Sequence, residues 1–591
     1  MNNLKSYLIA LGLIITAAGC NDLDELLVNP NGVDPSEAGA EFLYNNIQIK
    51  TAEVLAGAVQ NDGTDNATNF TLYDLTGGLS RMSNLDLTGF TYNAAHAPTD
   101  FNALWTDIYA DLFPDIDAYL AIVEPLGLDG SAGSVKVIRA YMLMLLVDLF
   151  GDVPSAAAGQ GTDNLNPMPT PGAEVYAQAV QLLMEAEAQL SGENGGNFSD
   201  GFDNFYNEDE TKWLALAKSL RLRAAVATRL VNEGESASII NGLLSEDGLI
   251  TENNGNFEYQ YGSNRANPSS RHPFYVDSYE ENSPQYQSNW YMWLLSESKG
   301  FPDPRTRYYF YRQEKDIFPG VVNSDPDAFD CIFTRVPTQD DIPPHYAAVS
   351  EDMPYCLGSY SQGYFGRDHL NGSGIPPDEQ YRTVFGLYPA GGMYDDDVRF
   401  MDVLNGGEDG AQGAGIIPIW QASWTHFQLA EAALTIDGVN ADAAELLRDG
   451  IALSMDRVRS FESLLDGGEV IATRPREVTL DETFVPDSTV QQYIDFVMEN
   501  FDNADDDGKL EIIAQEYMIA LWGNGQEAYN LYRRTCRPAQ IQPAIDQNPG
   551  QFIRSFFYPA VHANLNQNVT QKGDDLQETV FWDTNGPGCT Y

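Results

Sequence analysis

Apolar positions recur at helical spacing in two blocks of this chain and lose that spacing between them. In DFNALWTDIYADLFPDIDAYL, Leu104, Ile108, Leu112 and Ile116 fall four apart, the stripe of one helical face. Pro114 interrupts that segment without an amide proton to donate, so a kink or break is expected there. VKVIRAYMLMLLVDLFGDVP is apolar nearly all round from Ala140 to Val147, which predicts a helix buried on most faces. Gly151 suits the residue just past a helix end, and Pro154 forbids continuation. AEVYAQAVQLLMEAEAQL (173–190) is amphipathic. TKWLALAKSLRLRAAVATRL sets Trp213, Leu216, Ala217, Leu220, Ala224 and Ala227 on one face, where small alanines let a neighbouring helix approach closely.

From about Asn253 to Gly415 the chain is rich in Gly, Pro, Asn, Asp and Tyr, with few periodic runs. That composition predicts loops with short elements, but it is too aromatic for disorder. Helical spacing returns at IIPIWQASWTHFQLAEAAL, at Ala441 to Phe461, at Thr489 to Phe501 and at KLEIIAQEYMIALW, and the tail from Asn530 is again irregular. The expected fold is mainly α. Helical blocks at about 100–235 and 416–533 bracket a loop-rich insert at about 253–415. Helix-pair repeats of about 34 residues build such blocks. No strict period is present, so any repeat is degenerate.

The first residues follow a different logic. Lys5 precedes an apolar run from Leu8 to Ile15, and the small residues Ala17, Ala18 and Gly19 follow it. The run falls short of the roughly 18 to 20 apolar residues that span a bilayer, so residues 1–19 read as a cleaved export signal. Cys20 stands directly after the cut, as in a bacterial lipobox, and is expected to become a lipidated N-terminus. One acyl chain anchors only marginally, so stable attachment needs several on that cysteine.

Charge narrows the partners. The 86 acidic residues against 32 basic give a formal net charge of −54. No basic stripe exists to neutralise phosphates, which argues against nucleic acid. Five cysteines are present. With Cys20 lipidated, Cys331, Cys356, Cys536 and Cys589 remain as disulfide candidates in an oxidising compartment. The sequence-local pairing, Cys331 with Cys356 and Cys536 with Cys589, is one of three connectivities. No Cys/His spacing suggests zinc.

Catalytic motifs are missing: the sequence holds no HExxH, GxSxG or GxxxxGK[ST]. GNGQEA (523–528) fits GxGxxA but lies between helical segments with no preceding strand, so it is not read as a dinucleotide site. The six histidines, at 96, 272, 345, 369, 426 and 562, have no ligand-like spacing. Calcium has one weak candidate in Asn503, Asp505 and Asp507. These resemble the opening of an EF-hand loop, but Ala514 stands where a bidentate Glu is required. The alternative is that Asp506 or Asp507 caps the helix that follows. Asp395, Asp396 and Asp397 form a second, weaker cluster. Aromatics are more suggestive, because many lie in loops: Phe90 and Tyr92, Trp290, Tyr291 and Trp293, Tyr360, Tyr364 and Phe365. Aromatic faces pack on the apolar faces of sugar rings, while Asn, Asp and Arg bond the hydroxyls. Tyr92, Trp290, Tyr360 and Tyr364 are the expected ligand-stacking residues. The competing role for any of them is to pin its loop to the body.

Several segments together resemble the SusD/RagB family of outer-membrane nutrient-binding lipoproteins. They are the lipobox, NPNGVDP (29–35), IRAYMLMLLVDLFGDVP, KWLALAKSLRLRAA, HFQLAEAA and EIIAQEYMIALWGNGQEAYNLYRR. GRDHLNGSGIPPD with YPAGG, and FIRSFFYPAVHANLNQNV, are similar to one subgroup, and the resemblance runs from residue 20 to about 570. The family often carries Glu after Tyr-Pro, whereas His562 stands near that place here. The resemblance implies a scaffold of tetratricopeptide-like helix pairs, an insert that carries the ligand face, and binding without catalysis. It implies oligosaccharide or, in some members, peptide ligands. It also implies a SusC-like TonB-dependent transporter as partner. NDLDE (21–25) resembles the tag that sends such lipoproteins to the cell surface. Two other readings are peptide capture on the same scaffold and a surface glycoside hydrolase, which sustained product release from polysaccharide would reveal.

Overall fold

The structure is a computed structural model that describes residues 39–56, 72–85, 90–93, 96–155, 166–199, 203–280, 286–315, 339–359, 361–372, 381–403, 407–473, 475–573, 576–585 and 589. Its first block starts with α1 (Ala40–Ala56) and continues with α2 (Phe113–Val123), α3 (Asp129–Phe150), α4 (Gly172–Leu190), α5 (Glu210–Thr228) and α6 (Glu233–Glu246). The apolar run in α3 is buried on nearly all sides, and Gly151 ends it at a positive φ of 79°. All six residues assigned to one face of α5 are buried, and Asp209 caps that helix by accepting from the amides of Thr211 and Lys212.

Pro114 does not break its segment. Helix Asn102–Thr106 runs into a π-helical stretch, Asp107–Leu112, and on into α2. Pro114 falls in the first turn of α2. The wider turn before it makes room where an α-helical carbonyl would meet the proline ring.

The second block holds α8 (Ala422–Thr435), α9 (Ala443–Arg459), α10 (Asp487–Asn503), α11 (Asp506–Ala520) and α12 (Gly525–Thr535). Consecutive helices pack as pairs: α3 on α4, α5 on α6, α8 on α9, α10 on α11. Helices α5 and α8 touch, which joins the two blocks. Among the described residues no helix is long and apolar enough to cross a membrane.

One expected helix start is corrected. Ile416–Trp420 is a strand, β4, and α8 begins only at Ala422. Three isoleucines favour extended backbone, and Pro418 cannot sit inside a helix. β4 pairs antiparallel with β1 (Phe257–Gln260), Phe257 opposite Trp420. This pairing ties the two ends of the insert together at its base. Inside the insert, β2 (Phe310–Arg312) pairs with β3 (Thr383–Phe385) and α7 (Asn289–Ser296) is fully buried. The insert's aromatics converge on Trp522, between α11 and α12 of the second block. Tyr291 and Tyr309 stack on its ring at centroid distances of 5.0 and 5.5 Å, and Phe385 tilts against it at 5.4 Å.

Candidate functional site

Charged side chains from distant segments meet in the core. Asp148 of α3 accepts from Arg223 at 2.6 Å, Asn530 at 3.0 Å, the Trp582 indole at 2.9 Å and the Tyr176 hydroxyl. Glu527 takes the Arg223 Nε at 2.7 Å. Glu431 of α8 accepts from Arg534 and Arg229, at 2.7 and 2.9 Å. Burial raises a carboxyl pKa, but the attraction of these two arginines outweighs it and lowers that of Glu431 below its ordinary value. Every partner is used, so these clusters brace helices and leave nothing for a ligand. GNGQEA likewise serves the fold. Asn524 caps α12 by accepting from the Glu527 amide, and Gly525 lies so close to the Gly77 backbone that a Cβ has no room.

The expected stacking residues offer no faces to solvent where the structure describes them. Trp290 is 0 % exposed and donates its indole N–H to the Gln540 carbonyl at 2.7 Å. Tyr92 is 1 % exposed, with its hydroxyl 3.2 Å from both Arg81 Nη2 and His369 Nε2. Tyr364 is 1 % exposed beneath the Arg312 guanidinium. Tyr360 lies outside the described residues. The physical reason is that an insert with few helices builds its own core, and large rings fill it. Phe90 is the aromatic of those loops that stands out, 44 % exposed.

The cysteine and calcium expectations resolve in part. Cys536 and Cys589 form a disulfide with Cα atoms 4.9 Å apart. Cys356 is disulfide-bonded, while Cys331 and Cys20 lie outside the described residues. Asn503 donates to the Glu499 carbonyl, Asp505 caps α11 through the Gly508 amide, and Asp507 pairs with Arg537. Asp505 is therefore the cap, not Asp506 or Asp507, and these groups do not converge on an ion. In the second acidic cluster Asp395 pairs with Arg312, Asp396 with Arg399 and Asp397 with Lys315. Among the described residues no group of three His, Cys, Asp or Glu side chains could hold a metal ion. His562 stacks on Trp105 at a centroid distance of 4.3 Å, and burial lowers its pKa to about 4, so it is neutral at ordinary pH.

A cleft of about 250 Å³ opens between α7, α10 and α11. Trp290, Trp293 and Val497 form its buried floor, with Glu516 and Lys299 at the charged end. Phe496, Ile512 and Gln515 are half-buried in the walls, and Asn500 and Gln540 stand exposed at the rim. Lys299 Nζ donates to Asp303 at 3.2 Å, to Glu516 at 3.0 Å and to the Tyr493 hydroxyl. Arg305 takes the other Glu516 oxygen at 2.6 Å and also bonds Asp303. Burial raises the Glu511 pKa above its ordinary value, and Glu511 accepts from the Ala539 amide and from Gln515. In the sequence, NWYMW marks Trp290 and Trp293. Phe496, Gln515 and Gln540 belong to three other segments and carry no local signal.

The family described as SusD-like, Susd and RagB outer membrane lipoprotein, matches residues 45–329 and 415–583. No curated protein matches the chain. Solved structures share its fold at low identity. A chitin-binding protein aligns with a TM-score of 0.62 and 16 % identity, covering 93 % of this chain and 100 % of its own. A SusD/RagB family protein from Bacteroides thetaiotaomicron aligns at 0.61 and 17 %, covering 93 % and 100 %. A chitin-binding SusD homolog from Flavobacterium johnsoniae aligns at 0.58 and 16 %, covering 92 % and 98 %.

Proposed function

We propose that this chain, which belongs to the SusD/RagB family of outer-membrane lipoproteins, captures oligosaccharide at the cell surface and delivers it to a SusC-like TonB-dependent transporter. Proteins of this family bind and do not catalyse. The observation that carries the glycan reading is the cleft: an indole and phenyl surface with amide side chains at its mouth is the chemistry that holds a sugar ring. Two structural relatives named as chitin-binding support the same class of ligand. In this reading Cys20 carries the lipid anchor. Trp290 shapes the cleft from below, Tyr92 and Tyr364 hold the loops that frame the ligand face, and Tyr360 stays a proposed stacking residue.

The test is a glycan array and calorimetry with the chain from residue 21 onward. Binding to at least one oligosaccharide, with no products released on long incubation, is expected. Failure with every sugar, together with tight binding of basic peptides, would move the function to peptide capture.

A further inference from the structure

We infer that the cleft at Trp293 is an end-on subsite that takes the terminal ring of a neutral oligosaccharide, an inference that rests on the glycan reading above. Size is the first argument. About 250 Å³ lies below the roughly 300–1,000 Å³ of sites for drug-sized ligands, so it holds one ring with its substituents and no run of chain. Shape is the second. The floor is closed by buried Trp290, Trp293 and Val497, while the exposed lining residues are Asn500 and Gln540. A ring enters past that rim and stops against the floor, with the rest of the chain left outside.

Charge is the third argument. Lys299 lines the cleft, and it and Arg305 behind it are matched by the carboxylates of Asp303 and Glu516, each pair within salt-bridge distance. Glu511 is held by the Ala539 N–H shared between its two oxygens, by the Gln515 side-chain amide and by Arg537 at 3.3 Å. A charged ligand ring would meet no unpaired opposite charge and would lose its hydration on entering. Side-chain amides on Gln515, Asn500 and Gln540 can both donate and accept, which suits hydroxyl groups whose roles vary. Trp293 and Phe496 supply the apolar surface for the ring's C–H face.

Calorimetry on the chain from residue 21 tests this with the tetramer of N-acetylglucosamine and with neutral hexose tetramers. Wild type should bind at least one tetramer. If none binds, this inference falls, and the glycan reading falls with it only when the whole array is also negative. For a tetramer that binds, its free monosaccharide should compete fully, because one ring makes the contacts. The corresponding cationic 2-amino sugar should not compete. The double variant Asn500→Ala with Gln540→Ala changes only exposed side chains and should weaken the tetramer about tenfold, as should Gln515→Leu. Thermal unfolding near wild type confirms that the variants remain folded. A tetramer that binds wild type and the rim variant equally, or a monosaccharide that does not compete, overturns the end-on cleft and leaves the glycan reading standing.

Discussion

Asp148 and Trp582 stand 434 positions apart and share a buried hydrogen bond of 2.9 Å, the indole N–H donating to the carboxylate. This bond brings the end of the chain onto the middle of the first helical block. The same carboxylate accepts from Arg223, Asn530 and Tyr176, contributed by α5, α12 and α4. A buried carboxylate is tolerated when its lone pairs are filled and a cation is near, and Asp148 meets both conditions.

Asp148→Ala should therefore act on the whole molecule. It leaves Arg223 buried with Glu527 as its remaining carboxylate and strands three neutral donors. Breaking such a cluster from one side costs about 3–5 kcal/mol. Urea unfolding followed by tryptophan fluorescence reads this as a lower midpoint. A loss under about 1 kcal/mol would show that the cluster is not what joins the two blocks.

Trp290→Ala should cost stability before it costs binding. The ring is fully buried and removing it empties a large space, worth about 3–5 kcal/mol. Trp290→Phe keeps most of that packing and loses the bond to the Gln540 carbonyl, worth about 1 kcal/mol. Thermal unfolding of both variants beside glycan titration separates the roles. A folded Trp290→Ala protein of wild-type stability would mean that the indole is not core.

The contrast between the helices and the site has a physical cause. Trp213, Leu216 and Leu220 share a face because helical spacing is local, and their burial follows from it. The strand Ile416–Trp420 looks helical in the sequence because a short apolar run has no period of its own, and its partner β1 begins at Phe257, far upstream. The ligand aromatics failed for a related reason. Trp290 is buried by a contact 250 positions away and Tyr92 by one 277 positions away, neither of which loop composition encodes. The family resemblance was legible because its segments hold the buried ion clusters, which need particular residue types at Asp148, Arg223, Glu431, Glu527 and Arg534.

Lys572 should make stability depend on pH. Its ammonium is buried, donates to the Phe150 carbonyl and Ser555 Oγ, and has its pKa lowered to about 8 from 10.5, mainly by loss of hydration. Between these two values the unfolded chain binds more protons at this position than the folded one. Stability from this group therefore rises with pH across the window, by at most about 3 kcal/mol. Lys572→Met should remove this contribution, so that the stability of wild type relative to the variant rises between pH 8 and 10, while tyrosine ionisation acts on both proteins alike. Chemical unfolding of both proteins at three pH values in that window checks it, and parallel pH curves for the two would refute it.

The disulfide between Cys536 and Cys589 should hold the tail to the core. Cys536 follows the last residue of α12, and Cys589 lies beyond Trp582 and Asp583, which bond Asp148 and Arg554. Asn585 adds hydrogen bonds to the carbonyls of Arg533 and Arg534. The bridge closes a loop with a sequence separation of 53, for which chain entropy gives about 4 kcal/mol. The double variant Cys536→Ser with Cys589→Ser should lose up to that amount. The opening should begin at the tail, because residues 576–585 form no helix or strand and are held by the buried side chains of Leu576, Val580 and Trp582, by hydrogen bonds and by the buried ion pair of Arg554 with Asp583. Hydrogen exchange should then show faster exchange at the Asp583 and Thr584 amides, which donate locally to Val580 and Trp582, while α5 stays protected. Peptide mapping without reductant should recover Cys536 linked to Cys589. Free thiols at both positions in exported protein, or unchanged tail exchange in the variant, would show that the tail is held without the bridge.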